Sequence, residues 1–384
     1  MKKKILILGG SHRDIPLIEA AQELDFFVIT LGNRDYYLGH QYSDKSYKVN
    51  FNNLEKIKEI VKHEKVDYLL PGSGEASYLN TVQLSHELEM GRFDDLTVAG
   101  LVHNKWRFKE FCLKNAISTP TGVYYTDGLN LEDVKLPVIV KPTDLSGGRG
   151  VEVACDLSSL KVAIAGAQET SGEIFLEEFI EGGLIAYSVF IKDGRVAYGF
   201  TGKDDTYKNK YLITSAYPTC LALETQKKLQ LDVETIANVL SLVDGMFHLQ
   251  VIVKGLTPYI IDVTRRIPGD FYPYLIEYCD KIEYSKAVVK SYIGQAFNQE
   301  LNPKGGRSFV IRHCVMSDRN GLFKSIKIDK SIEDKVIFKI DLKTENTEIT
   351  NFLTEQIAII FIRLPDESQE VIDNINRLIC PIVI

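Results

Sequence analysis

The sequence predicts a multidomain protein of mixed α/β and α+β class, with a parallel βαβ domain first, a larger central domain next and a small α+β part last. Over the first hundred residues, short apolar runs alternate with helical patterns, which is typical of βαβ units and a parallel sheet. Further along, paired apolar runs flank the dipeptides Asp193-Gly194 and Lys254-Gly255, which favours antiparallel hairpins. These two patterns separate the first domain from the second.

Length and composition agree with this division. At roughly 150 residues per domain, 384 residues suggest two or three domains. Hydrophobic residues make up 45% and charged residues 25% of the chain, which excludes a disordered protein. We expect domains at residues 1–100, 101–300 and 301–384, with a smaller subdomain at about 120–182.

Charge and apolar runs exclude several function classes. The chain carries 45 Lys and Arg against 52 Asp and Glu, a net charge of -7, which argues against nucleic-acid binding. No apolar run approaches the roughly 18 residues of a membrane span, and the apolar run after the first lysines is too short for a signal peptide. Six widely spaced cysteines indicate buried free thiols in a reducing compartment and no zinc site. We therefore expect a cytoplasmic protein with no membrane or nucleic-acid partner.

In the first domain, the apolar runs are Lys4–Leu8, Phe27–Thr30 and Tyr68–Leu70. Ligands of parallel sheets bind beyond the carboxyl ends of the strands. Gly10 follows the first of these strands and Glu75 follows the third, so both are candidate substrate contacts. Glu75 has two equally weighted interpretations: a carboxylate that anchors a substrate ammonium group, or a helix N-terminal carboxylate that interacts with the helix dipole.

The central domain begins with a helix at Trp106–Lys114, and a strand at Val138–Lys141 then leads into a loop with three glycines. These glycines are Gly147, Gly148 and Gly150. Glycines let backbone amides approach phosphate oxygens, and Lys141 adds a positive charge. The loop matches neither a Walker motif nor a dinucleotide-binding fingerprint, and on its own it could equally be an ordinary hairpin loop.

A second segment places carboxylates at the end of an apolar strand. The strand from Ile174 ends in Glu177 and Glu178, followed by Phe179 and Ile180. Such an edge offers backbone groups and a carboxylate to a purine amino group. The alternative is a strand that runs into a solvated acidic turn.

A hairpin of Met246–Val253 with Pro258–Thr264 supplies a third group of polar residues. Because alternate strand residues share a face, Asp262 lies on the same face as Thr264 and Arg266, and Gln250 lies on the same face as His248. Oxygen ligands beside a cation suit Mg²⁺-nucleotide chemistry. The alternative is a two-stranded ribbon with one solvated face. Beyond it, short strands and a final helix from Ser368 form the α+β C-terminal part.

In this order, the three segments resemble the ATP-grasp superfamily, and specifically its carboxylate–amine ligases, such as biotin carboxylase, carbamoyl phosphate synthetase and the amino-acid ligases. The resemblance runs over nearly the whole chain. It implies a pre-ATP-grasp domain, an ATP-grasp fold with a lid subdomain at about 120–182, and a small C-terminal subdomain.

The resemblance also implies roles for individual residues. Phosphate contacts are implied for Lys105, Lys141, Gly147, Gly148 and Gly150. The adenine hinge is implied at Glu177, Glu178, Phe179 and Ile180, and magnesium ligation at Gln250 and Asp262. Arg266 resembles the arginine that steadies the transferred phosphate and the substrate, and it is the implied catalytic residue together with Lys141.

The chain departs from the family pattern at three of these positions. Ala186 stands where a ribose-binding carboxylate is usual, and Gln250 replaces a metal-binding carboxylate. Asp262 is one carbon shorter than the usual glutamate. These changes should weaken magnesium binding in the absence of nucleotide, because formal negative charge is lost.

The implied function is ATP-dependent activation of a small carboxylate as an acyl phosphate, followed by its joining to an amine, with ADP and phosphate released. The implied cofactors are ATP and Mg²⁺, amino acids are candidate substrates, and a homodimer is expected. Two alternatives stay open: a carboxylase that acts through carboxyphosphate, and a catalytically weak relative that only binds nucleotide.

Overall fold

The computed structural model describes residues 2–142 and 150–384, and the first of its domains is built on a parallel sheet. Its strands are β1 (Lys4–Leu8), β2 (Phe27–Gly32), β3 (Lys45–Lys48) and β4 (Tyr68–Pro71), and its helices are α1 (Ile15–Glu23), α2 (Leu54–Glu64) and α3 (Glu75–Leu88). The strand order is β3-β2-β1-β4, and all pairs are parallel. Ile5, Leu6, Ile7 and Leu8 have no exposed surface, because both faces of β1 are covered. The predicted parallel βαβ domain is confirmed.

Two helices lead from this sheet to the central domain: α4 (Leu96–His103) and α5 (Lys105–Lys114). The side chain of Asn104 caps α5 by accepting a hydrogen bond from the Arg107 amide at 2.9 Å. The cap fixes where α5 begins, with Lys105 as its first residue.

A small four-stranded sheet follows. Its elements are β5 (Gly122–Tyr124), β6 (Val138–Pro142), β7 (Glu152–Ala154), α6 (Leu157–Gln168) and β8 (Ile174–Glu178). The strand order is β5-β8-β6-β7, and the pairs are antiparallel. Val140, Leu160 and Leu176 form its core with α6. This unit lies within residues 120–182, where a lid subdomain is predicted, and both its role as a lid and its limits stay predictions.

The rest of the chain forms one large sheet and a small one. The elements are β9 (Gly183–Lys192), β10 (Arg195–Thr206), β11 (Ile213–Pro218), α7 (Leu223–Val239), β12 (Gly245–Lys254), β13 (Thr257–Thr264), α8 (Tyr272–Asp280), α9 (Tyr284–Tyr292), β14 (Phe309–Met316), β15 (Gly321–Ile328), β16 (Val336–Asp341), β17 (Glu348–Ile349), β18 (Gln356–Leu364), α10 (Gln369–Leu378) and β19 (Ile379–Val383). The large sheet has the order β13-β12-β9-β10-β11-β14-β18-β16, and the small one has the order β17-β15-β19.

Both predicted hairpins are present. Asp193 and Gly194 join β9 to β10 with φ angles of +50° and +72°, the left-handed pair that a tight two-residue hairpin turn requires. The predicted boundary at residue 301 falls between strands of one sheet, because β14, β16 and β18 extend the sheet that β9–β13 begin.

The cysteines differ in part from expectation. All six are free thiols, and Cys112, Cys279 and Cys314 are buried as predicted. Cys155 and Cys220 are exposed, so the prediction of buried thiols is wrong for these two. Within 2–142 and 150–384, no helix has both the length and the apolar character to cross a membrane.

Candidate functional site

One face of the large sheet gathers the predicted metal ligands. In the strand register, Gln250 of β12 lies opposite Asp262 of β13 on one side and Ala186 of β9 on the other. Both Gln250 and Asp262 are half-buried, and an Asp262 oxygen accepts a hydrogen bond from the Val263 amide at 3.0 Å. The sheet therefore presents an amide oxygen and a carboxylate side by side.

This pair is the set of oxygen donors that could hold a divalent ion on this face of the sheet. Across the described parts of the chain, no cluster of three or more His, Cys, Asp or Glu side chains has metal-binding geometry. Two oxygen donors suit Mg²⁺, which usually takes one or two carboxylates and completes its shell with phosphates and water. The residues present therefore fit an ion that arrives together with a nucleotide.

His248 lies two residues before Gln250 and is buried within the sheet. It is opposite Thr264 and Ser188, and its Nδ1 lies 2.7 Å from Ser188 Oγ. Burial lowers the pKa of His248 to about 3, and Arg266 adds to this effect. The imidazole is consequently neutral near neutral pH.

The adjacent arginines after β13 point to different surroundings. Arg265 is buried, and its guanidinium contacts both oxygens of Asp94, at 2.8 and 3.3 Å. It also donates to the carbonyls of Met246 and Val243, both at 2.6 Å. Arg265 is therefore held by four hydrogen bonds and serves the fold.

Arg266 is half-buried and has few partners. Within 2–142 and 150–384, its Nε has no hydrogen-bond partner, and Nη1 donates only a long bond of 3.4 Å to the Ile267 carbonyl. Burial lowers the pKa of Arg266, while the carboxylates of Asp262 and Glu75 oppose this shift. A buried cation with unused donors is suited to an anionic ligand.

Glu75 is brought to the same place from the parallel sheet. It is the first residue of α3, as the dipole interpretation requires. Glu75 is exposed, and partial desolvation followed by the charge of Asp262 raises its pKa, while Lys105 and Arg266 act in the opposite direction. The charges of Asp262 and Arg266 thus act on Glu75, and its role as a substrate contact stays a prediction.

The predicted phosphate lysines are arranged differently from expectation. Lys105, at the start of α5, is exposed, whereas Lys109 one turn later is buried. Lys109 and Lys141 both form ion pairs with Glu177, one on each carboxylate oxygen. The sequence showed several lysines in α5 but not which of them faces inward, and Lys109 was missed for that reason.

Glu177 is correspondingly not open to an adenine through its side chain. It is 1% exposed, and both of its oxygens contact lysines. Burial alone would raise its pKa, but the charges of Lys141 and Lys109 hold the pKa of Glu177 below its ordinary value. The two lysines and one carboxylate carry a net positive charge, so the cluster can still attract a phosphate.

The remaining hinge residues also contact the protein. Glu178 accepts a hydrogen bond from Thr121 Oγ1 at 2.9 Å, and the Phe179 amide donates to the Pro137 carbonyl at 3.3 Å. Ile180 is 3% exposed. Their predicted contact with adenine stays a prediction.

Four predicted glycines and Ala186 complete the set. Gly147 and Gly148 lie outside the described residues. Gly150 is exposed and has a φ of +69°, a left-handed angle that favours glycine. Gly10 lines a cavity at the rim of the parallel sheet, but its amide donates to Asp14 at 2.9 Å. Ala186 is fully buried beside Gln250.

Comparisons with known proteins agree with this architecture. Residues 126–193 match the model of the ATP-binding domain of the carbamoyl-phosphate synthase L chain. The formate-dependent phosphoribosylglycinamide formyltransferase of Haloquadratum walsbyi is 23% identical over 189 residues, which cover 46% of this chain and 46% of that protein. The match thus spans less than half of that relative.

Solved structures extend the likeness to the whole fold. Phosphoribosylglycinamide synthetase from Anaerococcus prevotii covers 100% of both chains with a TM-score of 0.78 and 21% identity. L-amino acid ligase from Bacillus licheniformis covers 100% of this chain and 99% of its own, with a TM-score of 0.83 and 17% identity. These findings confirm the predicted fold class and the resemblance to the ATP-grasp superfamily.

Proposed function

We propose that this chain is an ATP-dependent ligase that activates a small carboxylate as an acyl phosphate and joins it to an amine, releasing ADP and phosphate. The observation that supports the proposal is Arg266, with an unused donor, within the electrostatic influence of Asp262 and Glu75, while Gln250 lies opposite Asp262 in the strand register. Two separate sheets supply these groups, so they meet only in the folded protein. Phosphoryl transfer needs this kind of charge and positioning rather than a covalent nucleophile.

The chain's cations would bind the nucleotide phosphates. Lys141 and Lys109 lie together on Glu177, and Lys105 lies exposed at the start of the same helix as Lys109. Gln250 and Asp262 would hold Mg²⁺, which when bound neutralises phosphate charge. This number of positive charges matches a triphosphate that must be held and then divided.

In the first step, an oxygen of the substrate carboxylate bonds to the γ-phosphorus of ATP, and the bond from that phosphorus to the β,γ-bridging oxygen breaks. ADP leaves, and Arg266 stabilises the charge on the transferred phosphoryl group. In the second step, the amine nitrogen bonds to the acyl carbon, phosphate leaves with the electrons of the C–O bond, and the nitrogen loses a proton. Glu75, whose pKa is raised by desolvation and by Asp262, would hold the amine and accept that proton.

The names of the similar proteins suggest two classes of amine substrate. One class carries a phosphoribosyl group, as in phosphoribosylglycinamide synthetase, and the other consists of amino acids, as in L-amino acid ligase. The expected homodimer and cytoplasmic location stay predictions.

An ADP-release assay tests the proposal. Purified protein with ATP and Mg²⁺ is offered amino acids, singly and in pairs, glycine with phosphoribosylamine, and bicarbonate, and the product masses are recorded. Amine-dependent ADP release with formation of an amide supports the ligase. Turnover that requires bicarbonate instead supports the carboxylase. No ADP under any condition overturns the proposed activity and favours a protein that only binds nucleotide.

A further inference from the structure

A cavity of about 450 Å³ lies at the carboxyl ends of β1 and β4, away from the Lys109–Glu177–Lys141 cluster. This volume is within the range of small-molecule sites. Gly10, Ser11 and Ser73 form its rim. In a parallel sheet this is the expected position of a ligand, and free amides at such a rim would suit a phosphate.

Here the rim amides already have an acceptor within the chain. Asp14 is 2% exposed, and one of its carboxylate oxygens accepts hydrogen bonds from the Gly10 amide, the Ser11 amide and Ser11 Oγ, each at 2.9 Å. The other oxygen accepts from the Ser73 amide at 2.7 Å. Four donors that could have held an anion are therefore directed at an internal carboxylate.

The neighbouring glycines serve the same internal contact. A Cβ at Gly9 would lie 2.8 Å from the Asp14 carboxyl carbon, and a Cβ at Gly72 would lie 2.9 Å from Asp14 Oδ1. Both approaches are too close for any other residue without movement. The glycines at the two strand ends are thus explained by Asp14, and a phosphate entering the rim would meet a fixed negative charge instead of free donors.

The cation among the cavity's lining residues is paired as well. Arg13 Nε lies 2.9 Å from Asp270 Oδ1, in the loop that follows Arg266. This ion pair links the rim to the loop that carries Arg266. The charges of Arg13 and Asp14 also contribute to the pKa of Arg266, so the cavity adjoins the proposed reaction site.

One part of the cavity lining is aromatic and apolar. It consists of Tyr36, Tyr37, Leu38, Phe51 and Leu342. The rings of Tyr36 and Tyr37 pack edge to face, with centroids 5.9 Å apart. Such a wall binds an apolar or aromatic body better than it binds a sugar phosphate.

We propose that this cavity binds the amine substrate, and that this substrate is an unphosphorylated amino acid with an apolar or aromatic side chain. The proposal rests on the ligase function proposed above, which it narrows to one of two substrate classes. The observations that support it are the rim donors that Asp14 occupies and the aromatic residues in the lining of the same cavity. Glu75 follows Ser73 and Gly74 in the chain and would hold the ammonium group.

Calorimetric binding tests the proposal with matched ligand pairs, in the presence of a non-hydrolysable ATP analogue. The pairs are L-tyrosine with O-phospho-L-tyrosine and L-serine with O-phospho-L-serine, with L-phenylalanine and inorganic phosphate measured alone. L-Tyrosine or L-phenylalanine should bind at least tenfold more tightly than O-phospho-L-tyrosine. Tighter binding of a phosphorylated partner, or no binding of any unphosphorylated amino acid, overturns the proposal.

Variants locate the binding to this cavity. Phe51→Ala should weaken aromatic amino-acid binding at least tenfold and leave the affinity for the ATP analogue unchanged. The control is Tyr42→Ala, which removes an exposed tyrosine of the same domain that does not line the cavity. Equal binding by both variants would overturn the assignment. Because binding is read without turnover, amino-acid binding with no ADP release would contradict the ligase function and leave the cavity assignment intact.

Discussion

The rim of the parallel sheet and the face of the large sheet differ in whether their hydrogen-bond donors have partners within the protein. At the rim, Asp14 takes up the donors of Gly10, Ser11 and Ser73, and the region is closed to an anion. On the sheet face, Arg266 keeps an Nε with no partner in the described parts of the chain. Glycine-rich strand ends and charged strand ends look similar in a sequence. We therefore expect a binding site where the fold leaves donors unused.

The largest loss of stability is expected where a buried charge loses its partner within the protein. Asp94→Asn should lower the free energy of unfolding by about 3–5 kcal/mol, because Arg265 would lose its charge partner in a buried site. The midpoint of thermal unfolding measures this effect. Asp95→Asn is the control, since Asp95 is exposed and asparagine caps α4 equally well. A thermal midpoint for Asp94→Asn equal to that of the wild type would show that the Asp94–Arg265 ion pair does not stabilise the fold.

Substitution of Arg266 should reduce activity strongly and stability little. Arg266→Ala should lower the rate of ADP formation by about 10²–10³-fold, the usual effect of losing one charged donor at the reacting group. Its thermal midpoint should stay near that of the wild type, because the side chain has few partners to lose. Arg319→Ala, at an exposed surface pair, is the control for both readouts. A large drop in the midpoint would show that Arg266, like Arg265, stabilises the fold.

The cluster of Lys109, Lys141 and Glu177 shares features with both regions. Its lysines are paired with a carboxylate, as at the rim, but two lysines face one carboxylate, so a positive charge is left for a ligand. Lys141→Ala should abolish the thermal stabilisation that ATP gives, which for the wild type is about 2.7 kcal/mol at a hundredfold excess over Kd. Lys135→Ala removes an exposed lysine of the same subdomain and should leave this shift unchanged. If ATP raises the midpoint of Lys141→Ala as it does that of the wild type, Lys141 does not bind the nucleotide.

A smaller change sharpens the metal site. Gln250→Glu should lower the Mg²⁺ concentration needed for half-maximal ADP formation by about tenfold, because a carboxylate replaces a neutral amide beside Asp262. Gln250→Leu should raise it. Identical magnesium titrations for all three proteins would remove Gln250 from the site.

A pH-dependent effect concerns a buried acid farther along the same sheet. Burial raises the pKa of Asp204 to about 7, and Arg312 only partly opposes this. The folded protein therefore keeps this proton at a pH where the unfolded chain has lost it, so the contribution of Asp204 to stability should fall as the pH rises from about 4 to 7. Asp204→Asn should flatten that slope, as measured by thermal midpoints between pH 4 and 8. An unchanged slope would show that Asp204 is ionised in the fold.

The sequence predicted those parts of the fold that depend on local pattern. β1, the β9–β10 turn and the β12–β13 hairpin have apolar runs and turn residues that need no distant partner. β3 was missed, because Lys45–Lys48 is a polar edge strand and lacks the apolar run that would predict a strand from sequence.

The site was predictable to the same extent. Asp262, Gln250 and Arg266 follow from strand alternation, so their shared position could be predicted. The contact between Asp14 and Ser73 joins residues 59 positions apart, and no local pattern signals it. Likewise, Lys105 and Lys109 are separated by one helical turn, and only the packing of α5 shows which one meets Glu177.

The continuation of the large sheet past β11 has a consequence for how this protein can be divided. Ala216 pairs with Arg312 across β11 and β14, and Gln356 donates to Asp270 in the loop after Arg266. A truncated chain ending near residue 301 would expose a long row of unpaired backbone groups along β11, which is a template for aggregation. The last eighty residues thus complete the sheet that carries Gln250 and Asp262, and shortened versions made for crystallisation or engineering should keep them.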